Sequence, residues 1–443
     1  MLRLIAQSAL TLLAATSLAA QRPIPALPVP DSLHRSTAPA LFPTDPLHEA
    51  GRNVTVSLVT MGNGGEVWEL FGHSAIWIHD NVTGRDTVFN WGVFDSRQPH
   101  FILHFLQGLM LYQMGGDTMD QLLYAYRYLN RTVVSQELDL STAEKDSLLH
   151  LIQINARPEN IQYRYDYFVD NCATRPRDLL DMVLGGQLRA HTNKPSGTSY
   201  RWHTMRLMQG DKPLEVGVDI GLGEPSDREI TQWQEMFLPR KLHDYVATLS
   251  VRDSASGPVH PLVRGERVLY QATGRGPEPD APPPLDLWLW PIGLVVAALF
   301  AWIGLRARDG DAGAGIRIAA ALVLGLWCVA AGILGVILTL LWTVTDHVFA
   351  HANENLLLLN PLWLVLAVLV AIHLWTGRAA RSTRLLAVAL AGLSVLALLA
   401  HVVTLSREAN WPTIGLALPA ALAIAYTVAR NRPATVRSGR ELV

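Results

Sequence analysis

Hydrophobic and polar positions are distributed differently in the two halves of this chain. As far as about residue 280, short apolar stretches alternate with polar ones, whereas residues 287–430 are apolar with few interruptions. The proline-rich segment GRGPEPDAPPP lies between the two regions. This pattern predicts a soluble domain over residues 21–275, a linker over 276–286, a membrane domain over 287–430 and a short tail over 431–443.

The apolar half contains five runs, each about as long as the roughly 20 residues that a helix needs to cross a bilayer. The predicted spans are Leu287–Leu305, Ile316–Val344, Leu356–Trp375, Leu385–Thr404 and Trp411–Val428. Arginines are concentrated in the segments after the first, third and fifth spans, while the other two loops contain only Arg407. Since positively charged loops stay on the cytoplasmic side, the soluble domain is predicted to be external.

The amino terminus has the pattern of an export signal. An apolar run, Leu4–Ala15, follows Arg3 and leads into the small-residue pattern Ser17-Leu18-Ala19. These features predict a signal peptide over residues 1–20, with an uncleaved anchor helix as the alternative. Either interpretation carries the soluble domain across the membrane.

Within the soluble domain, alternating and capping patterns predict the local elements. Val54–Thr60, His73–His79 and Asp86–Phe94 alternate as strands do, and the turn-rich DNVTGR predicts that the last two pair as an antiparallel hairpin. A helix is predicted to begin after Ser141, because Glu144 three residues later completes a capping box. The soluble domain is therefore expected to be of the α+β class.

Charge and cysteine content narrow the chemistry. The formal net charge is -2 and no lysine- or arginine-rich arm is present, so nucleic acid is not an expected partner. The chain has two cysteines, and Cys328 lies inside an apolar run, which leaves Cys172 without an evident disulfide partner. An unpaired thiol in an exported domain points to a reactive residue, with a buried inert thiol as the alternative.

Cys172 lies at the predicted start of a helix. Pro176 is tolerated only in a first helical turn, so the helix should begin near Thr174 or Arg175 and end at Gly185-Gly186. The positive end of the helix dipole and the Arg175 charge are expected to favour the thiolate, and backbone N–H groups there to stabilise an oxyanion. Asn171 and Arg175, which flank the thiol, are predicted to contact the substrate.

The thiol needs a base, and His73 is the predicted one. It begins a strand after Gly72, on the same face as Trp77, and an ordinary structural histidine is the alternative. His79, farther along that face, is the reserve candidate. Asn90, inside the next strand, could orient the imidazole or could cap backbone groups.

A polar segment interrupts the apolar half between the second and third spans. His347, His351, Asn353 and Asn355 are predicted to form a polar lining beneath the thiol and to contact the substrate. His347 and His351 could also share a metal ion if the segment were helical, although no third ligand is evident. A solvated loop is the remaining interpretation.

Three stretches, GHSAIWIHD, FNWGVFD and YDYFVDNCATRPRDLL, together with the apolar tail, resemble the Lnb family of bacterial lipoprotein N-acyltransferases. The resemblance implies a papain-like thiol fold in permuted order, histidine before cysteine, with Cys172 as nucleophile and His73 as base. It implies a multi-pass protein of the bacterial inner membrane whose catalytic domain is periplasmic, with no cofactor. It also implies the reaction: an acyl chain passes from a membrane phospholipid, through a thioester, to the α-amine of the lipid-modified N-terminal cysteine of a diacylglyceryl lipoprotein.

Two other functions are compatible with the residues. A membrane-tethered thiol peptidase or lipid hydrolase would use water to resolve the acyl-enzyme, and a sensor module would leave Cys172 passive. The free thiol and its predicted base argue against the sensor, and a hydrolase of soluble substrates would not need five spans. Only the resemblance separates transferase from hydrolase.

Overall fold

The structure is a computed structural model that describes residues 50–94, 99–253, 256–308, 312–376, 380–403 and 405–429. The predicted signal peptide over residues 1–20 and the predicted tail over 431–443 lie outside these residues.

The soluble part combines short strands and helices, and the apolar half is helical. The strands are β1 Val54–Met61, β2 His73–Asp80, β3 Asp86–Val93, β4 Leu111–Asp117, β5 Val133–Leu138, β6 Gln162–Arg164, β7 Pro195–Ser199, β8 Glu229–Thr231, β9 Ser250–Val251, β10 His260–Pro261 and β11 Val263–Tyr270. The helices of the soluble part are α1 Phe101–Gln107, α2 Met119–Tyr128, α3 Thr142–Asn155, α4 Thr174–Val183, α5 Gln187–Thr192, α6 Tyr200–Leu207, α7 Lys212–Gly221, α8 Gln232–Glu235 and α9 Pro239–Thr248. The apolar helices are α10 Leu285–Arg308, α11 Ala314–Thr343, α12 Leu362–Thr376, α13 Arg381–Val402 and α14 Trp411–Ala429.

Seven strands form one antiparallel sheet in the order β11-β5-β1-β2-β3-β4-β6. The predicted hairpin is confirmed, with Ala75 of β2 opposite Asn90 of β3. Val59, Ala75 and Val88 share a buried cluster with Leu122 of α2, because alternate residues of neighbouring strands face the same helix. The sheet therefore brings the first residue of β2 and the middle of β3 to one region.

Two predicted helices begin where the sequence indicates. The Ser141 side chain accepts from the backbone N–H of Glu144, and the Glu144 carboxylate accepts from the N–H of Ser141, so the capping box is confirmed. Helix α4 begins at Thr174 and is followed by Gly185 and Gly186, both with positive φ, as expected of a helix end.

Among the residues that the structure describes, five segments are long and apolar enough to cross a membrane, as predicted. The third of these, Val348–Leu374, includes the predicted start at Leu356 but is not one continuous helix, because α12 begins at Leu362. Two short 3-10 helices, Val348–Ala350 and Glu354–Leu357, precede it, and the Asn360 side chain accepts from the N–H of Leu362. At 15 residues α12 is about 22 Å long, so the polar segment completes the third span on its external side.

The soluble part contacts the loops that were predicted to be external. The N–H of Gly223 donates to the carbonyl of Phe349 over 2.8 Å, and the Asn353 amide donates to the carbonyl of Ile220 over 2.8 Å. The Phe349 ring packs against Phe168, with ring centroids 4.6 Å apart. Since Phe168 is in the loop that carries Cys172, the thiol region is tied directly to the membrane domain.

Candidate active site

Cys172 is a free, half-buried thiol in the loop immediately before α4. Asn171 shapes this loop, because its Oδ1 accepts from the backbone N–H groups of Ala173 (2.8 Å) and Thr174 (3.0 Å). Its Nδ2 donates to the carbonyls of Tyr167 and Phe237. The structure thus gives Asn171 a positioning role, and no polar atom of its side chain is left over for the predicted substrate contact.

The loop packs against the start of the hairpin. The backbone N–H of Ser74, the residue after His73, lies near enough to the Cys172 sulfur to act against the rise in the pKa of the thiol. Gly92 of β3 has φ +89°, and a Cβ there would lie 3.6 Å from the Cβ of Cys172 and 3.3 Å from the Tyr165 ring. A glycine is needed at this position because a side chain would be both strained and crowded.

His73 and Asn90 are joined by a hydrogen bond between Nε2 and Oδ1, 3.1 Å long. The Asn90 amide nitrogen donates to the carbonyl of Val88 (3.2 Å) and to the carboxylate of Asp117 (3.3 Å), which turns Oδ1 toward the histidine. Because Oδ1 can only accept, Nε2 of His73 must carry the proton and Nδ1 is left as a proton acceptor. The structure therefore brings the predicted base and its predicted orienter together, with Asp117 as a third member that the sequence did not indicate.

The charge that acts on this pair belongs to Arg131, not to the predicted Arg175. Arg131 is 4% exposed and lies between α2 and β5, where its Nη1 is 3.4 Å from the Glu69 carboxylate. It influences the ionisation of both Cys172 and His73. A single arginine after a helix carries no sequence pattern that marks it as part of a site.

Arg175 is engaged elsewhere. Its guanidinium pairs with both carboxylate oxygens of Asp170, with Nη2 and Oδ2 2.6 Å apart, and stacks over the Tyr163 ring at 3.9 Å. The paired charge is largely neutralised, so the expected help of Arg175 to the thiolate is not found. Its predicted substrate contact remains a prediction.

The thiol and the imidazole are both neutral at pH 7. Burial raises the pKa of Cys172 to about 11, although the Ser74 N–H and the Arg131 charge oppose the rise. Burial and the Arg131 charge lower the pKa of His73 to about 4, although the bond to Asn90 opposes the fall. The loss of solvation therefore outweighs the positive groups around the sulfur that favour the thiolate.

The reserve base is too far away. His79 lies six residues from His73 on the same strand, a separation of about 20 Å at the usual rise of a strand. Its ring packs edge-on against Trp77, with centroids 6.1 Å apart. His79 thus belongs to the opposite end of the hairpin.

The polar residues before α12 hold the soluble part in place. Nε2 of His347 bonds to the carbonyl of Phe105 and Nε2 of His351 to that of Thr345, each over 3.0 Å. Asn353 and Asn355 are buried, and both donate to the carbonyl of Ile220. His347 also stacks on Tyr167 next to the thiol loop. His351 is bonded within its own segment, and Asn353 and Asn355 are bonded to the soluble part. The substrate contacts of these four residues remain predictions.

The segment is not the regular helix that a shared metal ion would need, because His347 and His351 flank a single 3-10 turn. Over the part of the chain that the structure describes, no group of three or more histidine, cysteine or acidic side chains is arranged to hold a metal.

Comparison with known families gives two matches. Residues 50–209 match the Lnb N-terminal periplasmic domain, and residues 316–430 match the Lnb transmembrane domain. Cys172, His73, Asn90 and Arg131 all lie within the first match. No curated protein and no solved structure matches the chain.

Proposed function

Because this chain belongs to the Lnb family, we propose that it is a lipoprotein N-acyltransferase that works through a thioester on Cys172. The acyl chain would come from a membrane phospholipid and pass to the α-amine of the lipid-modified N-terminal cysteine of a lipoprotein. One arrangement supports the proposal. The loop that carries the free Cys172 thiol reaches Ser74, the residue after His73, and Asn90 sets the proton-accepting nitrogen of that histidine. The domain is also fastened to the loops that join membrane helices.

The first half-reaction starts from neutral partners. Nδ1 of His73 accepts the thiol proton as the sulfur attacks the ester carbonyl, so no stable thiolate has to exist beforehand. The ester C–O bond then breaks, and the imidazolium returns the proton to the departing oxygen of the lysophospholipid. Asn90 keeps the ring oriented throughout, and the Asp117 carboxylate behind it favours the transient positive charge.

The oxyanion donors differ from those expected at the helix start. The N–H groups of Ala173 and Thr174 are occupied by Asn171, whereas those of Ser74 and Cys172 itself act on the sulfur and lower the pKa of the thiol. We assign the oxyanion to this second pair, since both donors lie beside the attacking atom. Arg131 adds a positive potential that favours both the thiolate and the oxyanion.

The second half-reaction forms the amide. A neutral α-amine attacks the thioester carbonyl, the C–S bond breaks, and the proton lost by nitrogen passes by way of His73 to the sulfur. A thioester is a good acyl donor to an amine, so the two steps replace one difficult ester-to-amide exchange.

The membrane setting favours transfer over hydrolysis and indicates where the protein resides. The chain is a multi-pass membrane protein with a periplasmic N-terminal domain. Since outer-membrane spans are β-barrels and these are helices, we place the enzyme in the inner membrane.

Donor and acceptor are both lipids held in a bilayer, so an enzyme fixed at the same surface meets them without extracting either into water.

The test uses purified full-length protein in phosphatidylethanolamine vesicles. Without an acceptor, Cys172 should gain an acyl adduct that neutral hydroxylamine releases, and Cys172→Ala should show none. A diacylglyceryl-cysteine peptide added afterwards should become N-acylated as the adduct disappears. Transfer without any adduct under rapid quench would contradict the covalent mechanism, and steady release of free fatty acid without amide would favour the hydrolase.

A further inference from the structure

Helix α1 exposes a broad apolar surface. His100, His104 and Gln107, spaced four and three residues apart, form one polar stripe, and the rings of His100 and His104 lie 6.3 Å apart. The rest of the circumference is apolar, and Ile102, Leu103 and Leu106 are 71%, 51% and 44% exposed. A short helix with a narrow polar stripe and an uncovered apolar arc has the pattern of one that lies in a membrane interface.

Helix α1 is attached to the external end of a membrane helix. The carbonyl of Gln107 accepts from the N–H of Asp346 over 2.8 Å, and Asp346 is three residues past the end of α11. Arg164 adds an ion pair to the Asp346 carboxylate, 2.6 Å long. Gly108 has φ +74°, and a Cβ there would come within 2.9 Å of the backbone of Asp346.

The level of the membrane surface is marked by tryptophans. Trp288, Trp342 and Trp411 are exposed and lie at the external ends of α10, α11 and α14. Exposed tryptophans at helix ends are typical of the head-group region. The bond from Asp346 to Gln107 holds the end of α1 near the end of α11 that carries Trp342.

A row of aromatic rings runs from α1 to the thiol. Successive centroids are 5.7 Å apart between Phe101 and Phe94, 5.1 Å between Phe94 and Tyr112, and 4.5 Å between Tyr112 and Tyr165. The Tyr165 ring reaches the position of Gly92, which also borders the Cβ of Cys172. The row is half-buried to exposed, so an apolar chain can lie along it.

We propose that α1 is embedded in the external leaflet of the bilayer, and that the aromatic row leads the acyl chain of a bilayer phospholipid to Cys172. The occupant of the exposed arc is thus the membrane itself, because α1 is bonded to the residues that directly follow a spanning helix. The delivery step rests on the proposed function, whereas the embedding of α1 does not.

Embedding is tested by depth measurement on full-length protein in vesicles of phosphatidylethanolamine and phosphatidylglycerol. In a Cys172→Ala, Cys328→Ala background, Ile102→Cys carries an NBD fluorophore, and Val82→Cys is the matched control. Val82 is 72% exposed and lies in the turn between β2 and β3, at the end of the hairpin away from His73. Doxyl-labelled lipids should quench the probe at position 102 and leave that at position 82 unaffected. Leu103→Cys serves if the first variant does not fold, and quenching no greater than at position 82 overturns the proposal.

Delivery is tested by comparing two acyl donors. Ile102→Ser with Leu106→Ser should slow formation of the Cys172 adduct from vesicle phospholipid about tenfold, and should slow adduct formation from a water-soluble butyryl ester far less. Val82→Ser should leave both rates unchanged. Equal losses on both donors overturn the route. If even the wild type forms no adduct while the probe at position 102 is still quenched, acyl transfer fails and the embedding stands.

Discussion

Nε2 of His73 donates to Oδ1 of Asn90 over 3.1 Å, across two neighbouring strands, and this bond leaves Nδ1 as the nitrogen that can accept a proton. The Asn90 amide nitrogen is itself bonded to Val88 and Asp117, so these two residues fix the Asn90 side chain, which in turn orients the imidazole.

Substitution of His73 or of Asn90 should slow the acylation of Cys172 without unfolding the domain. We expect His73→Ala to reduce the rate of Cys172 adduct formation roughly 100- to 10,000-fold, because the proton acceptor is lost. Asn90→Ala should have a smaller effect in the same direction, since the ring loses its partner and becomes a weaker base. Single-turnover measurement with vesicle phospholipid gives both rates.

His79→Ala is the matched control, because His79 is on the same strand face but at the far end of the hairpin. It should retain the wild-type rate. An inactive His79→Ala together with an active His73→Ala would reverse the assignment of the base.

The alkylation of Cys172 should depend steeply on pH. With a pKa of about 11, the thiol is protonated at neutral pH, so the rate with iodoacetamide should rise about tenfold per pH unit between pH 7 and pH 10. Peptide mass spectrometry in a Cys328→Ala background confines the measurement to one thiol. A rate that is already constant between pH 5 and pH 8 would instead indicate a resting thiolate–imidazolium pair.

Removal of the Arg131 charge should raise the pKa of both His73 and Cys172. Its charge lowers the pKa of His73 and of Cys172, so Arg131→Gln should shift the acid limb of the pH–rate profile upward and slow alkylation at a given pH. The same change leaves the buried Glu69 carboxylate without its partner, at a cost on the order of 3 kcal/mol in the free energy of unfolding.

Arg131→Gln combined with Glu69→Gln separates the two effects. It should recover much of the stability, measured by thermal unfolding, while the altered pH profile persists. If the profile returned to that of the wild type, Arg131 would act only through the fold.

The junction between the two domains should weaken at high pH. Arg201 faces Asp219, Asp227 and Glu408 in a buried cluster, and burial raises the pKa of Glu408 to about 8, with Glu354 also nearby. A carboxyl whose folded pKa is raised stabilises the folded state below its ordinary pKa near 4.5 and loses that contribution as the pH rises through 8. The loss should be on the order of 3 kcal/mol between pH 5 and pH 9.

Thermal unfolding of the full-length protein in detergent, followed from pH 5 to pH 9, measures this loss. Glu408→Gln should flatten the profile, because the amide cannot ionise. An equally steep fall in the variant would assign the pH dependence to other groups.

Several features of the site could be predicted because they depend on residues close in sequence. The capping box at Ser141 and the break at Pro176 place two helices by local hydrogen bonding and sterics. The alternation in β2 and β3 and the turn between them put His73 and Asn90 in neighbouring strands. Hydropathy alone located the five spans, since a bilayer requires each to be long and apolar.

The other features of the site depend on which distant segments pack together. Arg131 could not be recognised because its effect on Cys172 arises only when the turn after α2 lies beside the loop before α4. The size of the rise in the pKa of Cys172 could not be predicted, because desolvation is a property of the folded surroundings, whereas the helix dipole and Arg175 are visible in the sequence.

For the polar residues before α12, too, one feature was evident from the sequence and another only from the packed structure. Their concentration next to lipid was evident from the sequence, which predicted a polar lining beneath the thiol, with a solvated loop as the alternative. What buries them, the backbone carbonyls around Ile220, became known only from the packed domains. The sequence by itself thus determined the main elements and the apolar spans, because these follow from local bonding and from hydropathy, and it also indicated the thiol and the base that we propose as catalytic. The ionisation of the pair, its third and fourth members and the place of α1 at the membrane were decided by tertiary contacts, because burial and long-range charge exist only once the chain has folded.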